Sequence, residues 1–103
     1  MEDIVASTQL FYRDPSGSEG TVSIAIGRPA EAEPGAEFRC PVRISLDPAE
    51  QSAAGADSFQ SLALALVWVR MTLERYEERG WHFFAEQGDQ EAFPFRRAWF
   101  SLP

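Results

Sequence analysis

Residues Asp57–Gly80 read DSFQSLALALVWVRMTLERYEERG, and this stretch decides the fold. Phe59, Leu62, Leu66, Val69, Leu73 and Tyr76 recur at alternating steps of three and four, which places them on one helical stripe. Asp57 is suited to cap the start, and Gln60 three residues later completes a capping box. Gly80 is a natural left-handed stop, with Arg79 facing the negative end of the dipole. About 22 helical residues span roughly 33 Å. Leu62–Val69 is apolar on every side, whereas Arg70–Arg79 is amphipathic, so the first half needs covering from two directions. The expectation is that Leu62, Leu66 and Val69 face a sheet, with Ala63, Val67 and Met71 as a shoulder. Leu64 and Trp68 then point elsewhere and require a tail or a second subunit over them.

Outward from the helix, the cleanest alternation lies just upstream. In Ala36–Leu46, Phe38, Cys40, Val42, Ile44 and Leu46 share one face, while Glu37, Arg39, Pro41, Arg43 and Ser45 share the other. Pro41 cannot donate to a ladder, so this strand is expected at a sheet edge or with a bulge there. Eleven residues at about 3.3 Å give roughly 36 Å, a length matched to the helix. Ile4–Arg13 and Thr21–Arg28 read as two earlier strands joined through the turn Asp14–Gly20, with Val22, Ile24 and Ile26 inward. Asp47–Ala56 reads as a flexible connection. Trp81–Phe84 is a short apolar run suited to a fourth strand, and Glu86–Glu91 is an acidic turn. The fold class expected is α+β: a three- or four-stranded antiparallel meander with one long helix packed across one face, order βββα(β). The chain reads as a single domain over 1–103, with 93–103 an arm that docks on the helix or on a second subunit.

Composition narrows the function classes. The chain has 103 residues, 45% of them hydrophobic, which suits one packed core. Sixteen acids against nine arginines, with no lysine, give a net charge of −7. That balance disfavours nucleic acid and anionic membrane and suits a basic partner. A single cysteine allows no internal disulfide. The apolar run Leu62–Val69 is far short of a membrane span, and the start MEDIVAS lacks an apolar signal region. A cytoplasmic protein without cofactors is expected.

No phosphate-cradling glycine loop, nucleophile elbow or metal motif is present. His82 is the only histidine, and one histidine among Glu78, Glu86 and Asp89 does not make a zinc site. Its simpler reading is a strand residue between Trp81 and Phe83. Cys40 on an inward strand face reads as a small hydrophobe rather than a nucleophile. Arg39 and Arg43 share a strand face roughly 13 Å apart, so with His82 they are candidates for an anion or partner contact. The simpler reading pairs each arginine with a neighbour such as Glu37. The tail segment Phe93–Phe100 (FPFRRAWF) mixes arginine with aromatics, as interface hot spots do. Leu64, Trp68, Phe95, Arg96, Arg97, Trp99 and Phe100 are therefore the candidate interface, unless the tail aromatics simply close the core. Glu74, Glu77 and Glu78 with Arg70, Arg75 and Arg79 read as a solvated helix end.

FRCPVRI (Phe38–Ile44), GADSFQSLALAL (Gly55–Leu66) leading to VRMTLE (Val69–Glu74), and the late Gly88-Asp89 and Phe93-Pro94 pairs give the chain a family look. It resembles an uncharacterised family of short bacterial proteins over about two thirds of its length, from the third strand onward. The segment after Pro94 extends past members that end near a Phe-Pro-Arg step. The resemblance implies no activity. The leading expectation is a non-enzymatic interaction protein that forms a homodimer. The alternatives are an immunity or antitoxin-like inhibitor of a basic toxin, and a small-ligand domain or enzyme built around His82, Arg39 and Arg43.

Overall fold

The computed structural model describes residues 3–103. Its elements are β1 (Ile4–Arg13), β2 (Glu19–Gly27), β3 (Ala30–Glu31), β4 (Phe38–Ile44), β5 (Gln51–Gly55), α1 (Ser58–Glu78), β6 (His82–Phe84) and α2 (Phe95–Phe100). The strands form an antiparallel sheet in the order β3-β4-β2-β1-β6, with β5 paired to β4 off that path. The fold is α+β, with the long helix packed against the sheet, as the alternation and the helical stripe predict. Two short strands, β3 and β5, add to the expected set. The chain divides into two compact units, one of residues up to Thr8 with Ser23–Val69, the other of Gln9–Val22 with Arg70–Pro103.

In the first unit β4 is a central strand. It pairs with β2 through Ile24↔Ile44 and Ile26↔Val42, with β3 through Ala30↔Arg39, and with β5 from Phe38↔Gly55 to Val42↔Gln51. An edge position for Pro41 is therefore ruled out, and the bulge is what accommodates it. Between Ile26↔Val42 and Ala30↔Arg39, residues 27–29 face only residues 40 and 41, one extra residue on the β2–β3 side. The Ser45 N–H donates to the Ser23 carbonyl at 2.9 Å, so strand alternation directs position 41 toward β2 as well. Continuing that register sets Gly27 opposite Pro41, which has no N–H to offer. The Gly27 carbonyl is met instead by the Cys40 thiol, which donates at 3.4 Å. Ile24, Ile26, Cys40, Val42 and Ile44 are all buried, as their alternation predicts, and so is Val22 in the second unit.

The region expected to be a loop, Asp47–Ala56, contains β5. Its sequence QSAAG has little intrinsic strand preference, so local reading misses it. The open edge of β4 imposes the pairing. Immediately after β5 the helix is capped. The Asp57 carboxylate accepts from the Gln60 N–H at 2.7 Å, and the Gln60 side chain accepts from the Ala56 N–H at 2.6 Å. The capping box thus closes one residue earlier than the standard pattern, on Ala56 rather than on Asp57.

The buried face of α1 differs from the expected one. Ser61, Ala65, Val69, Thr72 and Leu73 are buried, whereas Phe59 is 81% and Leu66 41% exposed. The helix is rotated by less than one residue step, about 100°, from the stripe through Leu62 and Leu66. Close approach explains it. A Cβ built on Gly55 would lie 2.5 Å from the Ser61 backbone nitrogen, so β5 and the first turn of α1 touch backbone to backbone. Only a small side chain such as Ser61 fits that separation, and Ala65, one turn further on, is small and buried as well. The hydroxyl of buried Ser61 donates to the Ser58 carbonyl at 3.1 Å, and buried Thr72 accepts from Arg75 at 3.2 Å, so neither is an orphan.

In the second unit β6 pairs with β1 through Phe11↔Phe84, Tyr12↔Phe83 and Arg13↔His82. Helix α1 ends in a Schellman motif. The Trp81 N–H donates to the Tyr76 carbonyl (3.1 Å), the Gly80 N–H donates to Glu77 (2.9 Å), and Gly80 has φ of 95°. Tyr76 and Trp81 meet edge to face at 5.1 Å, and Trp81 also contacts Tyr12 at 4.9 Å. Phe83 and Phe95 are fully buried and pack at 6.5 Å. Phe95 therefore closes this unit's core, and Trp99, half-buried, meets Phe93 edge to face and Phe95 at a tilt. The Asp14–Gly20 turn is held by Asp14, whose carboxylate accepts from the Ser16 and Ser18 N–H groups and the Ser16 hydroxyl. The Ser16 bond leads in holding its pKa below the ordinary carboxylate value.

Candidate interaction surface

The structure places each sequence-derived candidate. The Arg39 guanidinium pairs with Glu37, its neighbour two residues away, and Arg43 pairs with Glu50 at 3.2 Å. Arg39 thus takes the neighbour that strand spacing makes available, while Arg43 reaches a glutamate in the connection to β5. His82 is exposed on β6, opposite Arg13, in the other unit. Among the described residues no three His, Cys, Asp or Glu side chains converge as a metal site would require. Cys40 is buried, and burial pushes its thiol up, away from the reactive thiolate.

The tail candidates divide by role. Phe95 is core, Trp99 and Phe100 are half-buried, and Arg96 and Arg97 are exposed. Arg96 bonds Glu74 at 3.0 Å, and Arg70 holds the other oxygen of the same carboxylate at 3.2 Å. Arg70, Glu74 and Arg96 thus form an ion-pair cluster at this end of α1, while Arg75, Glu77, Glu78 and Arg79 are exposed, as a solvated helix end requires. Beside it lies an open groove of about 290 Å³, lined by Glu77, Phe93, Phe95, Arg96, Leu102 and Pro103 among others. Partial burial pushes the Glu77 carboxyl up, and Glu74 adds to that, while His82 and Arg96 oppose it.

Leu64 and Trp68 sit in a different setting. With Val42 and Gln51–Ala54 they line a groove of about 210 Å³ between the outer edge of β5 and one flank of α1. Leu64 is 42% exposed and Trp68 is half-buried. The opposite flank of the helix carries Phe59 and Leu66, which the helical stripe assigned to the core. The signal for that rotation was available in principle: Ser61 and Ala65 are small residues four apart in the helix that follows Gly55.

Residues 8–95 match the family described as a domain of unknown function, DUF6968. The chain belongs to this family. The match begins within β1, well ahead of Phe38–Ile44 and the later motifs that carry the resemblance, and it ends at Phe95, the first residue of α2. The DUF6968 region therefore includes β5, all of α1 and both residues lining the β5 groove from the helix. Residues 96–103, with Arg96, Arg97, Trp99 and Phe100, lie outside it. No curated protein and no solved structure matches the chain. No helix among the described residues is long and apolar enough to cross a membrane.

Proposed function

We propose that this DUF6968 chain is a non-enzymatic protein-interaction domain that associates with a second copy of itself. The supporting observation is the surplus of exposed apolar side chains on α1. Phe59, Leu64, Leu66 and Met71 are all at least two-fifths exposed on one helix. Single exposed apolar residues are ordinary, but these fall in two groups, Leu64 and Met71 beside half-buried Trp68 on one flank and Phe59 with Leu66 on the other, and each group suits a contact surface. Three of the polar candidates are already engaged: Arg39 and Arg43 pair with glutamates, and Cys40 is buried against Gly27. Size-exclusion chromatography with light scattering tests the reading. The expected mass is twice the 11.5 kDa of one chain. A monomer persisting at about 1 mM, where even a weak contact of some 4 kcal/mol would register, would refute it.

A further inference from the structure

The geometry points to the outer edge of β5, flanked by Leu64 and Trp68, as a homodimer seam in which β5 pairs antiparallel with β5 of a second copy. This inference rests on the self-association proposed above and names its surface. β4 covers β5 on one side only, and no strand pairs with its other side among the described residues. In the β4–β5 ladder, alternation turns the N–H groups of Gln51, Ala53 and Gly55 toward β4. Those of Ser52 and Ala54 then point outward, free to pair. Natural edges are usually blunted by lysine, proline, a bulge or an inward charge. QSAAG has none of these, and its register with β4 runs unbroken from Gln51 to Gly55.

Two features select a second copy of this chain as the occupant. The first is charge. At −7, two copies repel one another over most of their surface, so a self-contact needs a neutral site. Gln51–Ala56 is uncharged. Arg43 and Glu50 neutralise each other at one end, and Arg39 and Glu37 do so at the other. A basic or acidic foreign segment would find no free counter-charge here. A two-fold contact, which sets each end of the strand against the opposite end of its copy, meets none that repels. The second feature is shape. The groove above β5 has one apolar wall, Leu64 and Trp68 of α1, and lacks the facing one. A copy related by a two-fold axis through Ala53 brings its own α1 with it. Its Leu64 and Trp68 supply the missing wall, and the small side chains of Ser52, Ala53 and Ala54 leave room for the approach.

Sedimentation velocity on the full chain, with Ser52→Pro and Leu64→Glu variants, tests this seam, and amide hydrogen exchange on the wild type provides a measurement that does not depend on variant folding. Ser52→Pro removes an outward N–H and no β4 hydrogen bond. The expected result is a dimer whose dissociation constant rises at least about tenfold in each variant, with unchanged circular dichroism. The Ser52 and Ala54 amides should exchange at least about tenfold more slowly at dimer-forming concentration than on dilution. A wild-type dimer with fast-exchanging Ser52 and Ala54 amides would overturn the seam and leave self-association standing. So would a dimer broken by Phe59→Glu or Leu66→Glu but intact in Leu64→Glu. A wild-type monomer would overturn both.

Discussion

Replacing Gly55 by alanine should destabilise the fold although it adds only a methyl group. The new Cβ would stand 2.5 Å from the Ser61 nitrogen, 3.0 Å from the Gln60 carbonyl carbon and 3.0 Å from the Ser61 Cα. All three are backbone atoms of the first helical turn, so no rotamer change relieves the clash. Either β5 or the turn must shift by several tenths of an ångström. That shift strains the cap, where Gln60 bonds Asp57 and Ala56 at 2.7 and 2.6 Å. Overpacking of this kind costs about 1–3 kcal/mol, and partial loss of the cap adds up to about 1 kcal/mol. Against this, alanine narrows the unfolded ensemble and returns about 0.4–1 kcal/mol. The net expectation is a loss of roughly 1–3 kcal/mol. At about 4–8 °C per kcal/mol for a domain of this size, the thermal midpoint should fall by roughly 5–20 °C. Urea unfolding should show a lower midpoint with the same m-value. A Gly55→Ala variant as stable as wild type, or more so, would mean that unfolded-chain entropy dominates, and the backbone contact that orients α1 would be refuted.

Three further outcomes follow from the same geometry. Leu73→Ala, at a fully buried position, should cost about 2–5 kcal/mol, whereas Leu66→Ala should cost less than about 1 kcal/mol; comparable losses in urea melts would restore the Leu62–Leu66 face to the core. Asp57→Ala removes the side-chain acceptor for the Gln60 N–H and should lower stability by about 1 kcal/mol, read as a shift in denaturant midpoint, with no shift if the cap is unimportant. Glu77 holds its proton more tightly folded than unfolded, so its contribution to stability falls as pH rises from its ordinary 4.5 through the raised folded value. Glu77→Gln should accordingly raise the midpoint near neutral pH and lose that advantage below the unfolded pKa. A variant whose midpoint tracked wild type at every pH would remove burial as the cause.

Much of the candidate surface was legible in part. Leu64 and Trp68 stand out because the helix is apolar all round between Leu62 and Val69, and a surrounded helix must expose something. Their partner, the β5 edge, was not legible, because Gln, Ser, Ala and Gly carry no strand signal and read as a linker. Arg39 and Arg43 were legible as a pair on one strand face. Which glutamate each one meets was only partly so: Glu37 is a near neighbour along the same strand, while Glu50 reaches Arg43 through the turn into β5.

Local chemistry alone settles the limits of α1 and the course of β1, β2 and β4. A carboxylate at Asp57 can accept the first free N–H, Gly80 can turn left-handed at little cost, and alternating Val22, Ile24 and Ile26 must put one face inside. These interactions span a few residues and need no distant partner. Packing alone decides which side of the helix is hidden. Hydrophobicity ranks Leu62 and Leu66 above Ser61 and Ala65, but the side that lies nearest a glycine strand must be thin, and thinness at residue 61 is a property of Gly55 meeting it in space. The bulge at Gly27–Pro29, with Cys40 satisfying the carbonyl that Pro41 leaves open, has the same origin: a residue on one strand is constrained by what its neighbour across the ladder lacks.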